Sequence, residues 1–447
     1  MIVGEARRWI AELEILGMRF GLERMSALLA ALDSPERIAP ALHVVGTNGK
    51  SSTARLASAA LAGEGLRVGT YLSPHVTDWP ERIQIQGAPI SDDAFAAAAS
   101  EVRAAVEALP LPEGDVITQF EALTAIAFVS FRAAAVDVAV VEAGLGGRYD
   151  ATNVLQPRAA VALTNIALEH TELLGDTEAA IAAEKLAVCA DGSDRLVVGR
   201  LSGAAEAAVE AECARRGLRP LRYGAGLSAR EVEGAVEVVT PRATYAGLAL
   251  PLLGGFQRDN LALAVAGAEM VLGRALDPAR LRDAISAVAV PGRLELFPGA
   301  PAVVLDGAHN PAGMDAMVAA LPEVLAGRRP VVAVVSILGD KDAAAMITAL
   351  AGVADRVVAT RSSHARAVPS EALAAVARGL GRPAEAVDPP AAALAVAREA
   401  AGPDGVVVVA GSLYLLADLR GSVAAGGGNP PARLARARKG IDVPEAK

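Results

Sequence analysis

The chain has 447 residues, 53% hydrophobic and 3% aromatic, and 42 Lys and Arg against 51 Asp and Glu give a net charge of −9. Two or three packed domains are expected from that length, and the acidic surplus excludes the basic footprint of a nucleic-acid binder. From the charged start Met1-Ile-Val-Gly-Glu-Ala-Arg-Arg8, the absence of an apolar run of about 18 residues, and two widely spaced cysteines, Cys189 and Cys213, no signal peptide, membrane span, zinc site or disulfide framework is expected. The expectation is a cytoplasmic, monomeric protein that acts on small molecules and not on nucleic acid or membrane.

The first informative stretch is Ala41-Leu-His-Val-Val-Gly46-Thr47-Asn48-Gly49-Lys50-Ser51-Ser52-Thr53. An apolar strand from Leu42 to Val45 breaks at glycine and reaches Lys-Ser-Ser where an Ala/Leu-rich helical pattern begins. Such a turn aims backbone N–H groups and a helix N-terminus at an anion, with Lys50 for β/γ-phosphates and Ser51 for Mg²⁺. A strict P-loop has glycine at position 44, which is valine here, and a plain helix-capping turn fits the same residues.

Strands and Ala/Leu-rich helices then alternate to about residue 200, the pattern of a parallel sheet covered by helices. Tyr71-Leu72-Ser73-Pro74-His75 should close the next strand, with Ser73 as a second rim hydroxyl or as a Ser-Pro turn. Glu81-Arg82-Ile83 offers either a guanidinium clamp for carboxylate or phosphate or a surface ion pair. Val136 to Val141 predicts a strand ending at Glu142, which is either an Mg²⁺ ligand or a partner of Arg148. Ala160 to Leu163 predicts a strand before Thr164-Asn165, and His170 follows. Lys185 falls on a helix expected over Glu178 to Val188, and Leu196 to Val198 predicts another strand. Ligands of open α/β sheets bind beyond the strands' carboxyl ends, so the phosphate loop, Glu142 and the segment after Asn165 should share one rim.

Residues 219 to 253 read as a small β insertion or an antiparallel edge. After Pro291-Gly292-Arg293 a second alternating series begins, with strands at Ala302 to Leu305, Val331 to Ser336, Arg356 to Thr360 and Val406 to Ala410. The boundary is placed at Phe297-Pro-Gly-Ala-Pro, giving domains 1–296 and 297–420 and a disordered tail over 421–447. Asp306-Gly-Ala-His309-Asn310-Pro311 ends a strand, where Asp306 suits ribose hydroxyls and His309 a phosphate or carboxylate; an Asx turn with Pro at the first helical position fits equally. Asp340-Lys-Asp342, Ser363-His-Ala-Arg366 and Gly411-Ser412-Leu-Tyr414 also follow strands.

In combination these segments resemble the Mur ligase superfamily, specifically its folylpolyglutamate synthase and dihydrofolate synthase family. The motifs that carry the resemblance are Gly46–Thr53, Leu72–His75 with Glu81–Ile83, Glu142–Asn153, His170 with Glu184-Lys185, Pro291–Arg293, Asp306–Pro311 and Asp340–Asp342. It implies an N-terminal P-loop-type parallel-sheet ATPase domain like the Mur ligase central domain, and a smaller C-terminal Rossmann-like α/β domain for glutamate ligation. It also implies an ATP-dependent ligase that joins a folate or pteroate carboxylate to L-glutamate through an acyl phosphate, with domain closure excluding water.

By resemblance, Thr47, Asn48, Gly49, Lys50, Ser51, Ser52, Asn260, Arg293 and Asp306 bind nucleotide. Ser51 (or Ser52), Ser73, Glu142, His170 and Lys185 hold Mg²⁺, expected as two ions, and Lys185 matches a position that is carbamylated. Phe120, Asp150, Thr152 and Asn153 are implied at the pterin end, His309 and Ser412 at the incoming glutamate, and Lys50, Lys185, His170, Arg82 and His309 in catalysis. Ser51 and Gly255-Phe256-Gln257 depart from the family pattern. A Mur-type ligase for a cell-wall precursor is disfavoured by the lack of an added uridine-binding domain before residue 46, and a non-enzymatic ATP-binding protein by the complete metal set.

Overall fold

The computed structural model describes residues 1–14, 19–112 and 114–426, and divides into two compact units. Unit 1 comprises Met1–Leu250 with Phe256–Val288, and unit 2 comprises Pro251–Gly255 with the chain from Ala289.

Unit 1 is built on one sheet whose strands, in chain order, are β1 (Ala41–Val45), β2 (Val68–Tyr71), β3 (Ile83–Ile85), β4 (Ala88–Pro89), β5 (Val138–Glu142), β6 (Arg158–Leu163), β7 (Leu196–Val198), β8 (Leu221–Tyr223), β9 (Gly226–Val232), β10 (Ala235–Val239) and β11 (Thr244–Leu248). Their spatial order is β11-β10-β9-β8-β7-β6-β1-β5-β2-β3-β4. β1 lies between β5 and β6, parallel to both, and every residue of β1 and β5 is buried. This is why both strands read as unbroken apolar runs: a parallel strand covered on two faces has no solvent side. The stretch 219–253, expected as a small β insertion or an antiparallel edge, is β8 to β11 at one edge of this sheet, where β9, β10 and β11 pair antiparallel.

Helices fix the rim where β1, β5 and β6 end. Lys50–Gly63 starts on Gly49 and packs along Phe256–Leu272. Gln119–Ala133 begins with a capping box, in which Glu121 N–H donates to Thr118 Oγ1 at 3.3 Å and Thr118 N–H to Glu121 Oε2 at 2.8 Å. Glu121 is also paired with Arg24 at 3.2 Å, both buried, which pins the turn that carries Phe120. In Glu178–Leu186, capped by Thr177, the buried face is Ile181, Ala182, Lys185 and Leu186, so helical spacing places the lysine inward among apolar neighbours.

Unit 2 holds a second sheet of β12 (Glu295–Phe297), β13 (Ala302–Leu305), β14 (Val331–Val335), β15 (Arg356–Ala359), β16 (Ala384–Ala386) and β17 (Val406–Ala410), ordered β12-β13-β17-β14-β15-β16. Only β12 runs antiparallel to its neighbour. Phe297, expected in a linker, belongs to β12. Residues 421–426, expected in the unstructured tail, form the end of helix Leu413–Gly426, because Val423 is buried; 427–447 lie outside the described residues. Among the described residues no helix is long and apolar enough to cross a membrane.

Candidate active site

The loop between β1 and the helix from Lys50 is held by the segment after β6. Thr47 N–H donates to the Asn165 carbonyl at 3.0 Å, and Asn48 N–H to Asn165 Oδ1 at 2.8 Å. The Thr47 hydroxyl sits between the backbone of Ala167 at 3.1 and 3.2 Å. Thr47 and Asn48 therefore shape the loop, while the first-turn N–H groups behind Gly49 lack intrahelical acceptors by helix geometry, an arrangement suited to an anion. Gly49 has φ +85°, and a side chain there would meet Asn260 Oδ1 at 2.6 Å. Asn260 in turn donates from Nδ2 to Gln257 Oε1 at 3.0 Å, so the distant nucleotide candidate lies against the phosphate loop.

Two ammonium groups meet one carbonyl. Lys50 Nζ donates to the Gly46 and Thr47 carbonyls at 3.0 and 2.9 Å, and Lys185 Nζ donates to Gly46 at 2.8 Å. Lys185 is 4% exposed. Burial first, then the neighbouring Lys50 charge, push its pKa down to about 7, against the opposing pull of Glu169. The glycine loop after β5 lies directly on this lysine: a Cβ at Gly147 would stand 2.7 Å from the Glu184 carbonyl and 2.8 Å from that of Lys185.

Glu142, 1% exposed at the end of β5, accepts from Ser51 Oγ at 2.9 Å and from Ser73 N–H at 3.0 Å. Arg148, the alternative partner read from the sequence, donates to Glu184 Oε2 at 3.1 Å. Ser51 rather than Ser52 reaches the carboxylate, and Ser52 is buried in the helix. Among the described residues no three His, Cys, Asp or Glu side chains converge to hold a metal ion. An ion at Glu142 would draw on hydroxyls, water and phosphate oxygens, the hard donors magnesium prefers, so the residues present fit it. His170 lies in the left-handed region at φ +50° and begins the turn Thr171–Leu174; its Nε2 is 3.8 Å from Glu169 Oε1.

Toward β2 and β3, Arg82 is 8% exposed and donates from Nε to His75 Nδ1 at 2.8 Å. Burial, and then the Arg82 charge, hold the His75 pKa down at about 3. Glu81 instead accepts from Val76 and Thr77 N–H at 3.0 and 3.1 Å, which folds the loop. Tyr71 and Phe120 stack with ring centroids 6.1 Å apart, and Phe120 covers Gly144.

Asp150 and Thr152 are buried. Asp150 accepts from Leu145 and Thr152 N–H at 2.8 and 3.0 Å, and Thr152 Oγ1 is 2.8 Å from His43 Nε2. Burial raises the Asp150 pKa. Asn153 ties the Arg148 carbonyl, at 3.0 Å, to Arg158, at 2.8 Å. These three hold the loop from behind; of the expected pterin group Phe120 and Asn153 are half-buried.

In unit 2, Asp306 is buried and accepts from Leu294 and Ala308 N–H, both at 2.8 Å. Burial raises its pKa, against the opposing charge of Arg293. A Cβ on Gly307 would strike Arg293 Nη1 at 2.1 Å, so this guanidinium lies across the strand end. His309 Nδ1 is 2.7 Å from the Gly307 carbonyl, and Asn310 caps the helix Pro311–Leu325. Asx-type capping with Pro at the first helical position thus occurs alongside the half-buried His309. Ser412, 2% exposed, accepts from Tyr414 N–H at 3.1 Å.

The sequence matches the Mur ligase middle domain over residues 44–268 and the Mur ligase, glutamate ligase domain over 292–413. It is 38% identical over 383 residues to a dihydrofolate synthase/folylpolyglutamate synthase of Mycobacterium tuberculosis, covering 80% of this chain and 77% of the relative. It is 36% identical to the folylpolyglutamate synthase of Lacticaseibacillus casei, covering 90% and 94%. The M. tuberculosis folylpolyglutamate synthase complexed with ADP superposes with TM-score 0.86 at 34% identity, covering 96% of this chain and all of that one.

Proposed function

This chain belongs to the Mur ligase family, in its folylpolyglutamate synthase and dihydrofolate synthase branch, and we propose that it joins the carboxylate of a pteroate or folate to the amine of L-glutamate at the expense of ATP. The observation that carries the reading is the convergence of Lys50 and Lys185 on the Gly46 carbonyl, beside a buried Glu142 that already holds Ser51. A carboxylate is a poor electrophile. Its oxygen attacks the γ-phosphate to give an acyl phosphate and ADP, the glutamate amine attacks the acyl carbon, and phosphate leaves with the transferred oxygen.

Lys50 and the helix N-terminus neutralise the phosphates. Ser51, Ser73, Glu142 and His170 are assigned to hold magnesium, which supplies charge neutralisation for phosphoryl transfer when bound. Lys185 is assigned as a carbamate: its neutral amine adds to carbon dioxide, a proton is lost, and the buried cation becomes a carboxylate-like ligand. The pKa of about 7 supports this, because only the unprotonated amine reacts. Arg82 is assigned to the acceptor carboxylate and Phe120 to the pterin ring, with Asp150, Thr152 and Asn153 shaping the loop behind. In unit 1 the proposal assigns Asn260, against Gly49, to the nucleotide; in unit 2 it assigns Arg293 and Asp306 to nucleotide and His309 and Ser412 to glutamate.

The test is incubation with Mg-ATP, L-glutamate and either dihydropteroate or tetrahydrofolate, following ADP release and product mass. Release of ADP that requires both acceptor and glutamate, with a product heavier by one glutamyl residue, is expected, and the productive acceptor is read in the same experiment. ADP release with no new amide contradicts the proposal.

A further inference from the structure

Arg82 is a buried guanidinium set in a frame of uncharged rings. The turn Trp79–Arg82 is fixed at its start by Asp78, which accepts from Trp79 N–H at 2.8 Å and is itself gripped by Arg7 Nε at 3.1 Å. Within that turn the Arg82 guanidinium lies 5.1 Å over the Trp79 ring, and the His75 and Trp79 ring centroids are 4.5 Å apart at 64°. Arg82 Nε can only donate, so His75 Nδ1, 2.8 Å away, is an acceptor without a proton. Burial raises the Tyr71 pKa and the nearby Arg82 charge opposes it, so the same guanidinium lies near the ring that stacks on Phe120.

This frame stands apart from the phosphate-side cations. Lys50 and Lys185 gather where β1 and β6 end, whereas Arg82 opens β3, two strands beyond β5 on the other side of β1. An acceptor that stacks its ring near Phe120 would bring its carboxylate to the Tyr71–Arg82 side. From this geometry we propose that His75 is a positioning residue: with Trp79 it fixes the plane of the Arg82 guanidinium so that its fork meets the acceptor carboxylate. Planar, bidentate recognition loses most of its value when the guanidinium can rotate, so the acceptor Nδ1 is worth more than its single hydrogen bond. The inference rests on the ligase reading.

The test uses the full chain and steady-state kinetics for ATP, glutamate and the productive acceptor. His75→Ala should raise the acceptor KM on the order of 10- to 100-fold, with the ATP KM within about twofold of wild type. His75→Asn, which returns an acceptor oxygen at a similar reach, should recover most of that loss. In an Arg82→Ala background His75→Ala should add little further, because the two act through one group. Trp79→Ala should show the same acceptor-specific shift, more weakly. If the ATP and acceptor KM rise together, if His75→Asn fails as badly as alanine, or if the two losses multiply in the double variant, the positioning role is overturned while the ligase reading stands. If His75→Ala does not fold, His75→Leu, which fills the space without an acceptor, and its double with Arg82→Ala take the place of the alanine variants under the same criteria. A wild-type chain that forms no amide product overturns both.

Discussion

Lys50→Ala should lower kcat/KM for ATP on the order of 10³-fold, the scale of losing a preorganised positive group from a site of developing charge. The folded state should scarcely notice the change, because Lys50 is half-buried and its ammonium bonds only two loop carbonyls, at 3.0 and 2.9 Å. A second effect follows from geometry. After burial, Lys50 is the next largest influence that lowers the Lys185 pKa, so its removal raises that pKa from about 7 toward the ordinary lysine value of 10.5. A smaller fraction of Lys185 is then neutral near pH 7.5, and less carbamate forms. Native mass spectrometry of wild type and variant in bicarbonate buffer reads this directly as the occupancy of one added carbon dioxide. A loss under tenfold in kcat/KM would remove Lys50 from the phosphate site.

Lys185→Ala should abolish turnover while the chain stays folded. A buried ammonium costs solvation that its deletion returns, which offsets the packing lost with the side chain. The pH dependence of stability distinguishes this lysine from others. Its folded pKa of about 7 lies below the unfolded value near 10.5, so between those two pH values the unfolded chain binds more protons. Stability therefore rises with pH across that window in the wild type, and Lys185→Ala should flatten the rise. Chemical denaturation at several pH values in carbon-dioxide-free buffer measures it. Parallel profiles for the two proteins would mean that Lys185 is charged in the fold and cannot become a carbamate. Retained turnover in the alanine variant would take it out of the metal shell.

Much of this architecture was legible before the fold was known, for identifiable reasons. Ala302 to Leu305, Leu196 to Val198 and Val406 to Ala410 match β13, β7 and β17 to the residue, because a doubly covered parallel strand writes itself as an unbroken apolar run between turn residues. β16, Ala-Glu-Ala, has no such run and was illegible; it forms on the sheet edge, half-buried, by pairing with β15. The helix end beyond Gly421 was also missed, since one buried Val423 outweighs a glycine-rich composition there.

Within the site, the strand-end position of Glu142 followed from alternation of strand and turn. Its partners did not, because they depend on which way side chains turn inside a folded loop. Arg148 faces Glu184, Asp150 and Thr152 turn inward to Leu145 and His43, and Asn260 reaches Gly49 from another helix. His75 carried a signal in its place within Leu72–His75, seven residues before Arg82. The hydrogen bond itself is set by the short turn at Trp79–Arg82, which no periodicity announces.

The central claim is that the acceptor's own carboxylate attacks ATP. Acceptor labelled with ¹⁸O in that carboxylate, turned over with Mg-ATP and L-glutamate, should deliver one labelled oxygen to each inorganic phosphate released. Phosphate that emerges without label, while the amide product accumulates, would contradict the acyl phosphate route.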